Sequence, residues 1–201
     1  MNNRIAILSD IHGDTTALKA VIADARAQSA TEYWLLGDVL LPGPGREDLF
    51  ELLDAIPITA AVRGNWDDCV LEALDGEYGL EDPQEIQLLR LTQYLMEGLD
   101  PKRIDWLRSL PLVEKKEVNG IRFSLTHNLP EKNYGGDLRP ANATGTLTNC
   151  WMTRRIWRST VMSTSSCFAM AARVSRSSIR GLLACLILTG NQFKTTELSM
   201  L

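Results

Sequence analysis

Three short apolar runs, at residues 5–9, 32–36 and 58–62, each break off at a cluster of polar residues, and the stretches between them have helical character. Short apolar runs bounded by turn residues are strands. Residues 15–27 place Leu18, Val21, Ile22 and Ala25 at helical spacing, and a second helix over 47–55 follows the turn Gly43-Pro44-Gly45. The chain therefore opens as βαβαβ with a parallel sheet, and ligands of such sheets gather at the carboxyl ends of the strands.

Residues 68–110 read as helical in three pieces, 69–73, 83–96 and 101–107, with Leu110-Pro111 stopping the last. They are expected to form core, with a cap over a pocket as the alternative. Residues 113–117 and 121–126, divided by Asn119-Gly120, form a hairpin that begins a second sheet. After residue 143 the pattern changes. Residues 149–180 are rich in Ser, Thr, Arg, Met, Trp and Cys with neither a 2.0 nor a 3.6 period, so the expected folded domain is 1–143, followed by an aberrant, poorly ordered tail over 144–201.

Charge follows the same division. Residues 144–201 hold seven Arg or Lys against the single acid Glu197, a balance of +6, which leaves −10 for residues 1–143 of a total of −4. An acidic body argues against a general nucleic-acid surface. No run reaches the roughly 18 apolar residues of a membrane span, and no secretory leader is visible. Cys69, Cys150, Cys167 and Cys185 have no CxxC spacing. The expectation is a cytoplasmic protein with free thiols, without a membrane or specific nucleic-acid partner.

The chemistry lies where the strands end: Asp10-Ile11-His12, Gly37-Asp38, Gly64-Asn65-Trp66-Asp67 and His127-Asn128. Each has an ordinary reading by itself. Asp-x-His serves as a helix cap beside a surface histidine, Gly-Asp and Gly-Asn as turns, and a lone histidine as a core or surface residue. Their coincidence is the signal, because the only two histidines of the chain both follow strands, as do Asp10, Asp38 and Asn65. Carboxylate, amide and imidazole groups delivered from separate strands are a ligand set for a pair of divalent cations that processes phosphate.

These residues, in this order, resemble the calcineurin-like metallophosphoesterase family across roughly residues 5–142. The narrower phrases Leu41-Pro42-Gly43-Pro44-Gly45, Arg63-Gly64-Asn65-Trp66 and Leu129-Pro130-Glu131-Lys132-Asn133 are similar to its small bacterial branch of YfcE-type phosphodiesterases and streptococcal dinucleoside-polyphosphate hydrolases. The resemblance implies an α/β fold, an αββα sandwich of two mixed sheets flanked by helices, with the second sheet incomplete in this chain. It implies two divalent ions, Mn²⁺ first, with Fe, Zn, Co or Ni as alternatives. Asp10 and His12 would hold one ion, Asp38 would bridge both, and Asn65 and His127 would hold the other. Asp38, Asn65 and His127 would be catalytic, while Asn65, Trp66 and Asn128 would touch substrate. Asp67 would orient its neighbours. The implied reaction is hydrolysis of a phosphodiester or phosphoanhydride bond in a small phosphorylated substrate, a nucleotide included, by a metal-activated water. The rival readings are a non-catalytic scaffold of the same fold and a protein Ser/Thr phosphatase.

Several departures bear on that expectation. Trp66 stands where many members have a histidine able to protonate the leaving group, which favours a substrate with a good leaving group and leaves Trp66 to stack on a base or simply to pack. The family's Asp-Arg pair after Gly-Asp is absent, and Arg63 is a weak substitute for its phosphate-binding arginine. No histidine follows His127, so the Gly-His-x-His motif that supplies one histidine to each ion is missing. Back-translated and read one nucleotide out of register, residues 177–190 permit I-N-P-G-S-I-G-M-P-Y-F-N-W, residues 158–164 permit V-Y-G-H-V-H, and residues 146–153 permit F-D-Q-L-L-D-D. The expectation is a one-nucleotide slip near residues 143–145, with impaired or lost activity of the chain as written.

Overall fold

In a computed structural model, residues 4–134, 160–161, 184–189 and 192–196 are described. Strands β1 (Arg4–Ser9), β2 (Glu32–Leu35) and β3 (Ile58–Ala61) alternate with helices α1 (Thr15–Ala27) and α2 (Glu47–Asp54). Helices α3 (Asn65–Asp75), α4 (Pro83–Met96) and α5 (Pro101–Ser109) lead to the hairpin of β4 (Val113–Val118) and β5 (Ile121–Thr126). Three further strands follow, β6 (Thr160–Val161), β7 (Ala184–Thr189) and β8 (Gln192–Thr196).

One sheet has the order β3-β2-β1-β7-β8 and the other β4-β5-β6. The βαβαβ start is parallel, with Ile5 opposite Glu32 and Leu8 opposite Leu35, and β3 continues beside β2. β7 closes on the other side of β1, antiparallel, and β5 runs antiparallel to β4 and parallel to β6. Both sheets are thus mixed, and the whole is the expected α/β sandwich.

The early strands read as unbroken apolar runs because both of their faces are buried. Ile5, Ile7, Trp34, Leu36, Ala60 and Val62 point toward the second sheet and pack with Phe123 and Leu125. Trp34 and Phe123 meet edge to face at 5.1 Å, a geometry worth about 0.5–1.5 kcal/mol beyond its buried area. The alternate residues Ala6, Leu8, Tyr33 and Leu35 face the helices, where they join Leu18, Val21, Ile22 and Ala25 of α1 and Leu49, Phe50 and Leu53 of α2. Val70 and Leu71 of α3, Leu95 of α4 and Ile104 and Leu107 of α5 complete that core, so the helices of 68–110 are core-forming.

Helix starts are set by side-chain caps. Asp14, Asp82 and Asp100 accept the N–H groups of Ala17 (2.8 Å), Gln84 (2.7 Å) and Lys102 (2.9 Å), and Pro83 and Pro101 occupy first-turn positions where no N–H partner exists. The sequence predicts the third helix only from residue 69, whereas α3 begins at Asn65. Gly64 is the extended cap, and the Asp67 carboxylate reaches back to accept its N–H at 2.9 Å. The Gly-Asn segment is therefore the first turn of a helix rather than a loop before one.

The sequence places the end of the folded domain at residue 143. Strands β6, β7 and β8 come from the stretch expected to be a tail, and β7 pairs with β1 over six residues, Arg4–Ser9 with Ala184–Thr189. The other residues of 144–201 lie outside the described ones, among them all of 146–153 and, apart from β6 and β7, the segments 158–164 and 177–190.

Candidate metal centre

The ends of β1 and β2 are fastened to each other beyond the regular sheet. Asp10, His12 and Gly13 donate their N–H groups to the carbonyls of Gly37 (3.1 Å), Asp38 (2.8 Å) and Val39 (2.9 Å). To do so Asp10, His12 and Asp38 all take positive φ, at 57°, 50° and 55°. A side chain in that left-handed region costs about 1–2 kcal/mol, and such outliers persist where the surrounding structure imposes them, commonly at functional sites. Three of them here belong to one cluster: oxygen or nitrogen atoms of Asp10, His12 and Asp38 lie within 4.8 Å of one another.

The hydrogen bonds of the two histidines fix what their inner nitrogens can do. His12 Nδ1 lies 2.7 Å from the Leu41 carbonyl and His127 Nδ1 lies 2.6 Å from the Leu36 carbonyl. A carbonyl only accepts, so both Nδ1 atoms carry the proton and each neutral ring presents a bare Nε2 lone pair, the arrangement that orients metal-binding imidazoles. His12 Nε2 faces Asp10 Oδ1 at 3.8 Å and Asp38 Oδ2 at 3.7 Å. His127 Nε2 faces the same Asp38 Oδ2 at 3.3 Å and Asn65 Oδ1 at 3.1 Å. With both rings neutral, these side-chain atoms of His12, His127, Asp10, Asp38 and Asn65 are acceptors. Lone pairs converge in this way only around a positive centre, either a proton on the imidazole or a cation.

The protein by itself answers with the proton. Burial disfavours imidazolium at His127, but the hydrogen bond and charge of Asp38, the charge of Asp10 and the Leu36 carbonyl outweigh it and push the group up to about 9. Asp10 and Asp38 are 5% and 1% exposed, so bulk water solvates their side chains little. Carboxylate and imidazole groups converging in this way fit a divalent cation.

Close backbone approach brings the carboxylate there. A Cβ on Gly37, at φ +86°, would collide with the Gly64 backbone, and one on Gly64 would run into Asp38 Oδ1 and come within 2.5 Å of the Asp38 nitrogen. The two glycines let the ends of β2 and β3 touch. Asp38 Oδ1 then accepts the Trp66 N–H at 2.9 Å, turning Oδ2 toward both imidazoles. Asp67, fully buried, accepts the N–H groups of Asp38 (2.8 Å), Val39 (2.9 Å) and Gly64 (2.9 Å). Burial foremost, then the charge of Asp38, raises its carboxyl to about 6 against the opposing backbone hydrogen bonds. It ties the backbone after β2 to the start of α3.

Of the residues singled out in the sequence, Asp10, His12, Asp38, Asn65 and His127 come together at one point. The Trp66 ring stands edge-on to His12 at 5.9 Å and 85°, half-buried against the helix-side core. Asn128 is 1% exposed, beneath the surface beside His127. Arg63 is engaged elsewhere: its guanidinium pairs with Asp68 and donates to the carbonyls of Arg108 and Leu110. Sequence reasoning missed Ser9, whose hydroxyl donates to Asp10 Oδ2 at 2.6 Å, and the carbonyls of Leu36 and Leu41. A backbone carbonyl has no signature in a sequence, and Ser9 reads there only as the last residue of a strand.

Two facing mixed sheets with helices packed on the first, and polar side chains collected at the strand ends, fit the metallophosphoesterase class. The chain belongs to the calcineurin-like phosphoesterase family, whose model matches residues 3–161 and so runs past the boundary expected at 143. The family comprises metal-dependent phosphoester hydrolases. The uncharacterized protein MJ0912 of Methanocaldococcus jannaschii is 28% identical over 135 residues, 65% of this chain and 51% of that protein, so the chain spans about half the length of this curated relative. A metallophosphoesterase of Sphaerobacter thermophilus shares 27% identity over 67% of this chain and 51% of its own, with a TM-score of 0.49. Hypothetical protein PH1004 of Pyrococcus horikoshii OT3, 18% identical, has a similar fold over 96% of this chain and 87% of its own, with a TM-score of 0.67. No helix among the described residues is long and apolar enough to cross a membrane.

Proposed function

We propose that the chain hydrolyses a phosphodiester or phosphoanhydride bond in a small phosphorylated substrate, a nucleotide included, using two divalent cations. One ion would sit between Asp10 and His12, the other between Asn65 and His127, with Asp38 shared. The observation that carries this reading is the convergence of His12 Nε2 and His127 Nε2 on Asp38 Oδ2, at 3.7 and 3.3 Å. When bound, such a pair polarises phosphoryl oxygens and makes a nucleophile of water near neutral pH. The chain's own residues hold that arrangement: Leu36 and Leu41 fix the imidazole tautomers, and Ser9 and the Trp66 N–H orient the carboxylates. Asn65, in the first turn of α3, has an amide able to donate to a phosphate oxygen. Trp66 and Asn128 are assigned to substrate through their adjacent positions, and Mn²⁺ is the first choice of metal.

The test is Mn²⁺-dependent hydrolysis of bis(p-nitrophenyl) phosphate, with Asp38→Ala as the control. Turnover that is metal-dependent and lost in the variant supports the reading. A protein that takes up no stoichiometric divalent ion and turns over nothing is the non-catalytic scaffold instead.

A further inference from the structure

Beside the ligand cluster, three side chains that hold no ion are tied to one another. Arg63, the residue before Gly64, donates its backbone N–H to the Pro111 carbonyl at 3.0 Å and Nη1 to the carbonyls of Arg108 (3.4 Å) and Leu110 (3.3 Å). Its Nε is ion-paired with Asp68 Oδ1. Asp68 lies three residues after Asn65 in α3, hence on the same side of the helix. Its other oxygen accepts the Nδ2 amide of Asn133 at 2.6 Å.

Asn133 is 5% exposed and ends the turn that begins at His127. Within that turn Leu129 and Lys132 exchange both backbone hydrogen bonds, at 3.0 and 3.1 Å, and Thr126 Oγ1 donates to the Leu129 carbonyl at 3.1 Å. The near end of the turn carries one ligand and the far end is fastened to the helix that carries another.

We propose that Asp68 and Asn133 are positioning residues: their hydrogen bond locks the His127 turn onto the first turns of α3, so that His127 Nε2 and Asn65 Oδ1 keep a common ion position. The ion in this statement rests on the proposed function above, while the lock itself does not. Arg63 anchors Asp68 to the segment after α5 and is thereby withdrawn from substrate.

Asn133→Ala removes the lock, and the exchange Asp68→Asn with Asn133→Asp restores it with amide and carboxylate interchanged. In the metal-free protein, hydrogen exchange over residues 127–134 should quicken about tenfold in Asn133→Ala while β1 stays protected, and should slow again in the double variant. In Mn²⁺ calorimetry one of two binding steps should weaken by about tenfold or more, as for removal of a group supporting a ligand, with the other within about twofold. Unchanged exchange over 127–134, failure of the double variant to restore it, or equal weakening of both steps overturns the proposal. A wild-type chain that binds no Mn²⁺ overturns the functional reading instead, and hydrogen exchange then decides the lock alone.

Discussion

Asp67 holds the backbone of Asp38: its Oδ2 accepts the Asp38 N–H at 2.8 Å although 29 residues separate them, and the same oxygen accepts the Gly64 N–H at 2.9 Å. The end of β2 and the cap of α3 are thus fixed through a single buried atom. Each buried N–H left without a partner costs about 1–3 kcal/mol. Asp67→Ala orphans three, those of Asp38, Val39 and Gly64, so urea unfolding should show a loss of at least about 3 kcal/mol together with loss of Mn²⁺ uptake. Asp67→Asn, which retains one acceptor oxygen, should fall between. An alanine variant with the wild-type midpoint would contradict this account of the loop.

Gly64 tests the same junction from its other side. Its φ of −96° is open to any residue, so what excludes a side chain is contact with Asp38 and not backbone conformation. Gly64→Ala should displace the Asp38 carboxylate, weaken Mn²⁺ binding by about tenfold or more, and cost about 1–3 kcal/mol through overpacking. Alanine at this position with unchanged metal affinity would show that the close approach is incidental.

Much of this was legible in the sequence, for reasons that differ from element to element. α1 and α4 have the predicted bounds because each combines a capping Asp with apolar spacing, and β1, β2 and β3 are visible because burial on both faces leaves them largely apolar. The ligand candidates could be read because each side chain falls within a few residues of the end of a strand. The start of α3 was missed because a Gly-Asn pair is a turn by default and only the reach of Asp67 reveals a helix cap. The lock between Asp68 and Asn133 spans 65 residues and carries no local pattern.

The protonation of His127 gives the metal-free protein a defined pH dependence. Its folded value, about 9, lies above the ordinary 6.5, so the folded state binds the proton more tightly. That contribution to stability is complete below pH 6.5 and is lost as the pH rises through about 9. Metal binding runs the other way, since Nε2 must shed its proton to become a ligand. Between pH 6.5 and 8.5 the apparent Mn²⁺ affinity should rise by up to about tenfold per unit, as measured by calorimetry. His127→Gln should flatten both trends; an affinity that ignores pH over this range would remove the proton from the site.

The shifted-frame reading of residues 146–190 makes a prediction about DNA rather than protein. Codons for residues 158–164, read one nucleotide out of register, should encode Val-Tyr-Gly-His-Val-His. Sequencing the gene decides it, and a codon set unable to encode those histidines ends the idea. A chain repaired at the slip should bind Mn²⁺ more tightly than the chain as written, since each ion gains an imidazole.

Chelation separates the contribution of the ions from that of the fold. The helix-side and inter-sheet cores contain no ligand residue, so removal of metal should leave the chain folded and inactive. An ion that binds only the folded state stabilises it by about 2.7 kcal/mol at a hundred times its Kd, which for a domain of this size raises Tm by about 5–10 °C. EDTA should abolish that increment together with hydrolysis, and Mn²⁺ should restore both. In Asp38→Ala neither should return, because the one carboxylate that faces both imidazoles is gone. A rise in Tm that persists in this variant would place the stabilising ion somewhere other than between His12 and His127.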